Sequence, residues 1–325
     1  MADGGTQAAL AARAEALAGR VRAGEPAALA RALTLAENGC EPLMQLLRPL
    51  AGGADVVGVT GPPGAGKSTL VSALVSAWRA QGRRVAVLAV DPASPFTGGA
   101  VLGDRTRMGE HSMDEGVFMR SVSARGHLGG LAAGARDMLD TMDAAGWDLI
   151  LLETVGAGQS EVEVARAADV RLVVSAPGLG DDVQAIKAGI LEVADILVVN
   201  KADRPEADVT ARQLESMLAL RGDSVARAVP VLRCTAASGE GVDALRAVID
   251  ESAVAARPRR QERRQAQLHH MLADAMASRV RAQLLASESL QPVLARVAAG
   301  ECNLAQAMAE AWAVKDADGD GRLDR

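Results

Sequence analysis

The chain has 325 residues, 49% hydrophobic and 23% charged, a balance typical of globular rather than disordered proteins. A net charge of −6 and an aromatic content of 2% disfavour nucleic acid as the main partner. Three widely spaced cysteines, no secretory signal and no apolar run of membrane length predict a soluble, cytoplasmic protein with reduced thiols and no membrane partner.

The first predicted elements are helices. Residues 7–50 are rich in Ala and Leu, with apolar residues at helical spacing, which predicts two or three helices. The arginines within residues 8–31 also fit a mitochondrial transit peptide, but Glu15 and Glu25 interrupt that pattern.

Strands and helices alternate from residue 55 to about residue 256. Short apolar runs are separated by segments of helical spacing, which predicts a parallel sheet with helices on both faces. The predicted strands cover residues 56–60, 84–90, 149–153, 170–175, 196–200 and 229–232, and the predicted helices cover residues 67–81, 182–193, 210–220 and 242–255.

A phosphate-binding motif lies between the first predicted strand and the helix that follows it. The run from Gly61 to Ser68 matches G-x-x-x-x-G-K-[ST] in full. Its glycines let backbone N–H groups approach phosphates, and the helix N-terminus adds a favourable dipole. Lys67 would contact the β- and γ-phosphates, and the Ser68 hydroxyl would bind Mg²⁺. The predicted nucleotide contacts are Gly61, Pro62, Pro63, Gly64, Ala65, Gly66, Lys67, Ser68 and Thr69.

Acidic residues at the ends of two predicted strands are candidate Mg²⁺ ligands. Asp91 follows the strand at 84–90 and Glu153 ends the strand at 149–153, at the sheet edge where α/β proteins bind ligands. Asp104, in a Gly-rich loop, is a third candidate.

The run Glu153-Thr154-Val155-Gly156 occupies the place of D-x-x-G in G proteins. In that role the Gly156 amide would contact the γ-phosphate. The next position, which carries a water-orienting Gln in Ras-like proteins, holds Ala157, and Gln159 is the candidate in its place. We therefore expect slow intrinsic hydrolysis that a partner accelerates.

A base-reading motif, Asn200-Lys201-Ala202-Asp203, ends the strand predicted at 196–200. A carboxylate accepts two hydrogen bonds, and guanine offers N1–H and its exocyclic amine side by side, so Asp203 would select guanine over adenine. Asn200 and the stem of Lys201 would support the loop and cover the base. The motif predicts GTP as substrate and GDP as product. Further predicted base contacts are the backbone groups of Thr235, Ala236 and Ala237.

The composition changes again after residue 258. A charged run at 259–264 leads into apolar residues at helical spacing, and another helix is predicted at 290–299. This apolar stripe predicts a homodimer, with packing onto the chain's own core as the alternative; its members are Leu268, Leu272, Met276, Val280 and Leu284. We expect an N-terminal helical extension (1–52), a P-loop GTPase domain (53–256) and a C-terminal helical dimerisation arm (257–325).

Five blocks of the sequence resemble the MeaB/ArgK family of P-loop GTPases, within a similarity that covers about residues 25–250. The blocks are AVDPAS (89–94), GGAVLGDR (98–105), GHLGG (126–130), ETVGAGQSE (153–161) and PGLGDD (177–182). The resemblance implies a P-loop NTPase fold and a GTPase chaperone for an adenosylcobalamin-dependent acyl-CoA mutase, usually methylmalonyl-CoA mutase. Such a chaperone gates cofactor loading and protects the mutase, and it is typically a homodimer joined through helical extensions.

The same resemblance assigns site residues by motif. It implies that Asp91, Asp104 and Glu153 are the acids of the Mg²⁺ site. It also implies an additional switch at residues 178–187. The polar members of that switch are Asp181, Gln184 and Lys187. Together with the residues identified from the motifs above, they give a predicted catalytic set of Lys67, Glu153, Gln159, Gln184 and Lys187.

Two other functions stay open at this point. A kinase-like regulator of amino-acid transport would share the P-loop, although the Asn200–Asp203 motif favours GTP hydrolysis. A nickel- or cobalt-insertion GTPase usually carries His-rich tracts or a Cys/His metal site. This chain has four His, of which only His269 and His270 are adjacent, in a charged helical segment.

Overall fold

The computed structural model describes residues 3–92, 109–111, 113–124, 130–154, 167–178, 194–219, 229–286, 291–303 and 305–310. Within these residues, seven strands form one sheet in the order β3-β2-β4-β1-β5-β6-β7, and every pairing is parallel. The strands are β1 (Asp55–Thr60), β2 (Val85–Pro92), β3 (Val117–Ala124), β4 (Leu149–Thr154), β5 (Val170–Ser175), β6 (Ile196–Val199) and β7 (Val231–Arg233).

Parallel pairing gives the sheet two chemically distinct edges. All strands end at one edge, which we call the carboxyl edge, and all begin at the opposite one, the amino edge. The central strand β1 lies between β4 and β5. The expected α/β class, a P-loop NTPase sheet with parallel strands, is confirmed.

Helices flank the strands and extend beyond them at both ends of the chain. They are α1 (Asp3–Arg22), α2 (Pro26–Glu37), α3 (Glu41–Leu47), α4 (Lys67–Arg79), α5 (Gly130–Ala144), α6 (Ala207–Ala219), α7 (Val242–Ala256), α8 (Arg260–Ala286) and α9 (Gln291–Ala298). Pro26 stands at the start of α2, where its missing N–H costs nothing because that group would have no partner within the helix. No helix of the described residues is both long and apolar enough to cross a membrane.

Apolar side chains cover the sheet on both faces. On one face, α1, α2, α3 and α5 bury residues such as Leu33, Met44 and Leu139 against Ile150 and Leu152. On the other, α4 and α7 pack Leu70, Trp78 and Leu245 against β1, β4 and β5. Because the strands are covered on both sides, their sequences are nearly continuous apolar runs.

The amino edge carries a set of ion pairs that we call the arginine–aspartate network. Its centre is Asp55, whose side chain is only 3% exposed and accepts hydrogen bonds from Arg257 at 2.8 Å and Arg260 at 2.7 Å. Arg260 also pairs with Asp169 at 3.0 Å. The network therefore joins the start of α8 to the first residue of β1 and to the residue before β5.

The same edge binds the segment that leads from the N-terminal helices into the sheet. The carboxylate of Asp143, in α5, accepts hydrogen bonds from the backbone N–H groups of Gly52, Gly53 and Ala54. Arg264 of α8 pairs with Asp140, which is also in α5. The segment that enters the sheet and the first turns of α8 thus contact the same helix.

Contacts divide the chain into two compact units, Met1–Gln267 and Leu268–Arg325. The first holds the sheet, the N-terminal helices and the arginine–aspartate network. In the second, α9 buries Val293, and Arg296 pairs with Glu310 at 2.7 Å. Three apolar residues of the predicted stripe are exposed, namely Leu268 (53%), Leu272 (61%) and Met276 (54%).

The sequence analysis missed β3 and α5. Among the described strands, β3 pairs with β2 alone, at the edge of the sheet. It mixes apolar residues with Arg120 and Ser121, so it lacks the continuous apolar run of a buried strand. All six predicted strands are present, as are the helices predicted at 67–81, 210–220 and 242–255, with ends shifted by a few residues. The helix predicted at 182–193 lies outside the described residues.

Candidate nucleotide-binding site

Those predicted site residues that the structure describes lie at the carboxyl edge, around the end of β1. The P-loop begins there at Gly61, and β4 ends beside it at Thr154. On the other side of β1, β5 ends at Ser175, and the base motif follows β6 at Asn200. The sheet order thus brings together segments that are separated by up to about 140 residues in sequence.

Two positions of the P-loop require glycine because a neighbouring backbone or side-chain atom lies too close for a Cβ. Gly61 has φ of 143°, and a Cβ there would collide with the carbonyl oxygen of Val174 in β5. Gly66 has φ of 87°, and a Cβ there would lie 2.5 Å from Nδ2 of Asn200. Both positions combine a left-handed backbone with no room for a side chain, which only glycine tolerates.

Lys67 opens α4 and is almost fully buried, with 7% of its surface exposed. Its ammonium donates hydrogen bonds to the carbonyl oxygens of Gly61 at 2.7 Å and Pro62 at 3.0 Å. Both of these acceptors are uncharged backbone oxygens of the P-loop.

Ser68, in the first turn of α4, contacts Glu153 near the end of β4. The Ser68 hydroxyl donates a 2.6 Å hydrogen bond to Oε1 of Glu153, and both residues are buried, at 6% and 1% exposure. A hydroxyl and a carboxylate are hard oxygen donors of the kind that Mg²⁺ binds. The pair at the start of α4 thus fits a magnesium ligand set.

Asn200 links the P-loop to the loop after β7. Its Nδ2 donates to the carbonyl oxygens of Ala65 at 3.0 Å and Gly66 at 3.3 Å. Its Oδ1 accepts hydrogen bonds from the backbone N–H of Ala236 at 3.1 Å and from the thiol of Cys234 at 3.8 Å. Asn200 is 2% exposed, so it connects the two loops from a buried position.

The rest of the base motif lies nearer the surface. Lys201 has a positive φ of 56° and donates from Nζ to the carbonyl oxygen of Gly64 at 2.7 Å. Asp203 is exposed two residues later, at the start of the turn that leads into α6. Among the predicted contacts after β7, Thr235 and Ala236 are buried and Ala237 is exposed. The carboxylate of Asp203 is thus open to a ligand at the carboxyl edge.

The sequence analysis overlooked Cys234 as part of this site. Its backbone N–H donates to the carbonyl oxygen of Val199 at 3.0 Å, and its carbonyl oxygen accepts from the N–H of Ala202 at 3.1 Å. Burial raises the pKa of its thiol to about 12, so the thiol stays protonated and can donate to Asn200. Its place directly before Thr235 was the available signal.

Several predicted residues lie outside the described part of the chain. Asp91 lies in β2 near the carboxyl edge, but its side chain is not described. Thr69 is described and exposed, in the first turn of α4. The undescribed residues are Asp104, Gly156, Gln159, Asp181, Gln184 and Lys187. Within the described ranges, no group of three or more His, Cys, Asp or Glu residues is arranged to hold a metal ion on its own.

Comparison with known proteins places this site in a family. Residues 29–289 match the family model described as the methylmalonyl-CoA mutase-associated GTPase MeaB. The chain is 42% identical to the GTPase ArgK of Escherichia coli over 261 residues, which cover 76% of this chain and 79% of that one. It is 41% identical to the mouse mitochondrial methylmalonic aciduria type A homolog over 190 residues, covering 57% of this chain and 46% of the relative.

A solved structure extends the likeness to the fold. The crystal structure of a LAO/AO transport system kinase superposes with a TM-score of 0.73 at 31% sequence identity. The superposition covers 92% of this chain and 96% of that one. The similarity in fold therefore extends over most of both chains.

Proposed function

The chain belongs to the MeaB family of mutase-associated GTPases, and on that premise we propose that it is a GTP-hydrolysing chaperone of an adenosylcobalamin-dependent acyl-CoA mutase. The observation that carries the proposal is the family match over residues 29–289, because that family is named for both a GTPase and methylmalonyl-CoA mutase. The mouse relative's name, which refers to methylmalonic aciduria, supports the same client. In this role the protein gates cofactor loading and protects the mutase.

We assign phosphate binding to the P-loop and to Lys67. The buried ammonium of Lys67 rests on two neutral carbonyl oxygens, and phosphate oxygens are stronger acceptors because they are charged. A bound GTP would therefore draw this ammonium toward the β- and γ-phosphates. There it would stabilise the charge that develops during hydrolysis.

We assign the magnesium ion of the reaction to Ser68 and Glu153, with Asp91 and Asp104 as further candidates. The support is the buried oxygen pair 2.6 Å apart at the start of α4. Bound to nucleotide phosphates, Mg²⁺ supplies neutralisation of negative charge. Glu153→Gln should lower Mg²⁺-dependent turnover at least ~100-fold while changing nucleotide affinity in EDTA less than about threefold. The exposed Glu251→Gln is the matched control, and equal turnover in the Glu153 variant would remove Glu153 from the site.

We assign guanine recognition to Asp203, supported by Asn200, Lys201 and the loop at 235–237. The exposed carboxylate stands at the edge of a loop that Asn200 ties to both the P-loop and Ala236. This arrangement fixes the distance between the phosphate site and the base site. A purine nucleotide whose base pairs with Asp203 would therefore place its phosphates on the P-loop.

We propose that the mutase completes the catalytic site. Ala157 stands where Ras-like proteins carry a water-orienting Gln, and the sequence offers Gln159, Gln184 and Lys187 as substitutes. If the mutase positions them, Gln184→Ala and Lys187→Ala should keep the basal hydrolysis rate and lose most of the stimulation by mutase. Rates are measured with and without the purified mutase, and undiminished stimulation in both variants would exclude this switch.

The client itself is tested by affinity. Copurification of the tagged full-length chain with a cobalamin-dependent mutase from the native source, in a GTP-dependent amount, is the expected result. Purified methylmalonyl-CoA mutase that neither binds the chain nor alters its GTP turnover would contradict the proposed client while leaving the GTPase activity in place.

A transport-related kinase is the second candidate, favoured by the superposition with the LAO/AO transport system kinase. The two functions differ in the fate of the γ-phosphate, which moves to water in a GTPase and to a protein acceptor in a kinase. Incubation with γ-labelled GTP and periplasmic amino-acid-binding proteins separates them. We expect label only in inorganic phosphate; label in a binding protein would favour the kinase.

We propose that the C-terminal arm mediates a homodimer. The exposed apolar side chains of Leu268, Leu272 and Met276 recur every four residues and so lie on one face of α8. Truncation after Gln267 retains the arginine–aspartate network and removes this face, so it should give a folded, GTP-binding monomer. Light scattering that shows a dimer for the truncated chain, or a monomer for the full chain at micromolar concentration, would contradict the proposal.

A further inference from the structure

A pair of buried threonine hydroxyls lies at the end of the β1–β4 boundary. The Thr154 hydroxyl donates a 3.0 Å hydrogen bond to Oγ1 of Thr60, and the two residues are 4% and 2% exposed. Thr60 is the last residue of β1 before the P-loop, and Thr154 directly follows Glu153. The pair therefore lies beside the two segments that carry the proposed phosphate and magnesium ligands.

The backbone ladder between β1 and β4 stops just short of this pair. Its register runs from Asp55 opposite Leu149 to Val59 opposite Glu153. Beyond that point, the Thr154 hydroxyl links β4 to β1 through Oγ1 of Thr60 at 3.0 Å, and the carbonyl oxygen of Val59 is a second acceptor at 3.5 Å. The hydroxyl thus extends the cross-strand connection by one residue, at the point where Glu153 must hold its position.

The threonine pair and the Ser68–Glu153 pair lie on opposite faces of the sheet. Glu153 contacts Ser68 of α4, and Leu151, two residues before it, packs in the same α4-facing cluster. Successive side chains of a strand point to opposite faces, so Thr154 faces away from α4, and Thr60 faces away likewise because Val59 packs on the α4 side. The pair consequently acts through the backbone and does not contact the proposed metal ligands.

Hydroxyl groups at these positions need a reason beyond packing. Valine has nearly the same shape as threonine, and burying a hydroxyl is unfavourable unless it is hydrogen-bonded. A directional bond fixes the relative position of two strand ends, which apolar contacts do less well. The chemistry therefore points to alignment of the strand ends rather than to burial alone.

We infer that the Thr60–Thr154 hydroxyl pair is a positioning element that holds Glu153 against Ser68 and so sets the Mg²⁺ affinity of the nucleotide complex. The inference rests on the proposed magnesium site. Losing one neutral hydrogen bond that positions a metal ligand should weaken Mg²⁺ binding. The Mg²⁺ concentration at half-saturation should rise by up to about tenfold, which corresponds to about 1.4 kcal/mol of binding free energy. Binding of nucleotide without metal does not depend on this alignment.

The test follows the release of a fluorescent GDP from the full-length chain as a function of Mg²⁺ concentration. Mg²⁺ should slow GDP release from the wild type. Thr154→Val should raise the Mg²⁺ concentration that gives half of this effect, its midpoint, by up to about tenfold. The variant should change the release rate in EDTA by less than about twofold. Thr154→Ser, which restores the hydroxyl, should recover the wild-type midpoint. Thr60→Val removes the nearer acceptor and leaves the Val59 carbonyl oxygen, so it should shift the midpoint in the same direction by a smaller factor, and it serves if Thr154→Val does not fold.

The matched control is Thr141→Val in α5. Thr141 is fully buried and its hydroxyl donates to the carbonyl oxygen of Asp137 at 2.7 Å, away from the carboxyl edge. A wild-type midpoint in folded Thr154→Val, or an equal shift in Thr141→Val, would overturn the inference. If the rate of GDP release from the wild type does not depend on Mg²⁺, the proposed magnesium site is overturned as well. The wild-type measurement alone therefore distinguishes failure of the magnesium site from failure of the threonine inference.

Discussion

The two edges of the sheet hold their charged groups in different ways. At the carboxyl edge, the ammonium groups of Lys67 and Lys201 donate to neutral backbone carbonyls of the P-loop. At the amino edge, the carboxylate of Asp55 is paired with the guanidinium groups of Arg257 and Arg260. The acceptors in the first arrangement are uncharged carbonyl oxygens, whereas the acceptor in the second is a carboxylate paired with guanidinium groups of the same chain.

This difference separates function from stability. A cation on carbonyl oxygens can exchange them for phosphate oxygens with a gain in hydrogen-bond strength. A buried carboxylate that is already paired with guanidinium groups has no such gain available, and removing its charge leaves those groups without this partner. Substitutions at the carboxyl edge should therefore affect turnover, and substitutions at the amino edge should affect folding.

The largest effect is expected for Lys67→Ala. Loss of the buried ammonium removes charge stabilisation from the transition state, which should lower GTP turnover by roughly 10³-fold. The thermal midpoint of unfolding should change by only a few degrees, since the sheet core is untouched. Turnover is measured by phosphate release and folding by circular dichroism. Turnover within tenfold of the wild type would show that Lys67 is not part of the catalytic site.

At the amino edge, Asp55→Asn should lower the free energy of unfolding by about 3 kcal/mol, the usual cost of breaking a buried ion pair on one side. The affinity for GTP should stay within about threefold of the wild type. The matched control is Asp243→Asn, because Asp243 is 89% exposed in its pair with Arg246, and such pairs contribute at most ~1 kcal/mol. Equal losses in the two variants, measured by urea unfolding, would remove the distinction between the edges.

The pH dependence sharpens the same contrast. Burial raises the pKa of Asp55, but hydrogen bonds from Arg257 and Arg260 outweigh it and lower that pKa below its ordinary value of 3.8. A carboxyl group whose pKa is lowered in the folded state stabilises the fold at pH values above its ordinary, unfolded-state pKa. This stabilisation is lost as the pH falls through the folded-state pKa. The stability gap between wild type and Asp55→Asn should be constant from pH 7 to 5 and shrink below about pH 3.8. A gap that is unchanged under acid conditions would mean that charge does not cause it.

The smallest effect concerns the cysteines. Cys234 is buried beside Asn200 with a pKa of about 12, whereas Cys40 and Cys302 are partly exposed. Iodoacetamide reacts with thiolates, so at pH 8 it should label Cys40 and Cys302 at least ~10-fold faster than Cys234 in the native protein. Mass spectrometry of labelled peptides measures the three rates. Comparable labelling of Cys234 would show that the loop after β7 opens readily.

The carboxyl edge was more predictable from sequence than the amino edge. Glycine spacing and a strand–loop–helix context specify the P-loop locally, and the base motif is four consecutive residues, so both could be identified without coordinates. The arginine–aspartate network joins Asp55 to residues about 200 positions away, and no local pattern predicts which of 35 basic residues pairs with it. The contacts of Asn200 with Ala65 and Ala236 likewise depend on the strand order. The strand β3, at the edge of the described sheet, was not predicted because its sequence includes Arg120 and Ser121 and so lacks a continuous apolar run.

Nucleotide selectivity at Asp203 is the most direct measure of whether the carboxyl edge binds GTP as proposed. Calorimetric titration should show that wild-type chain binds GTP at least ~10-fold more tightly than XTP or ATP, because an unmatched polar group at the base edge costs about 1–3 kcal/mol. Asp203→Asn reverses the hydrogen-bond pattern, so it should prefer XTP to GTP by a similar factor while remaining folded. Retention of the GTP preference by Asp203→Asn would contradict the assignment of base recognition to this residue.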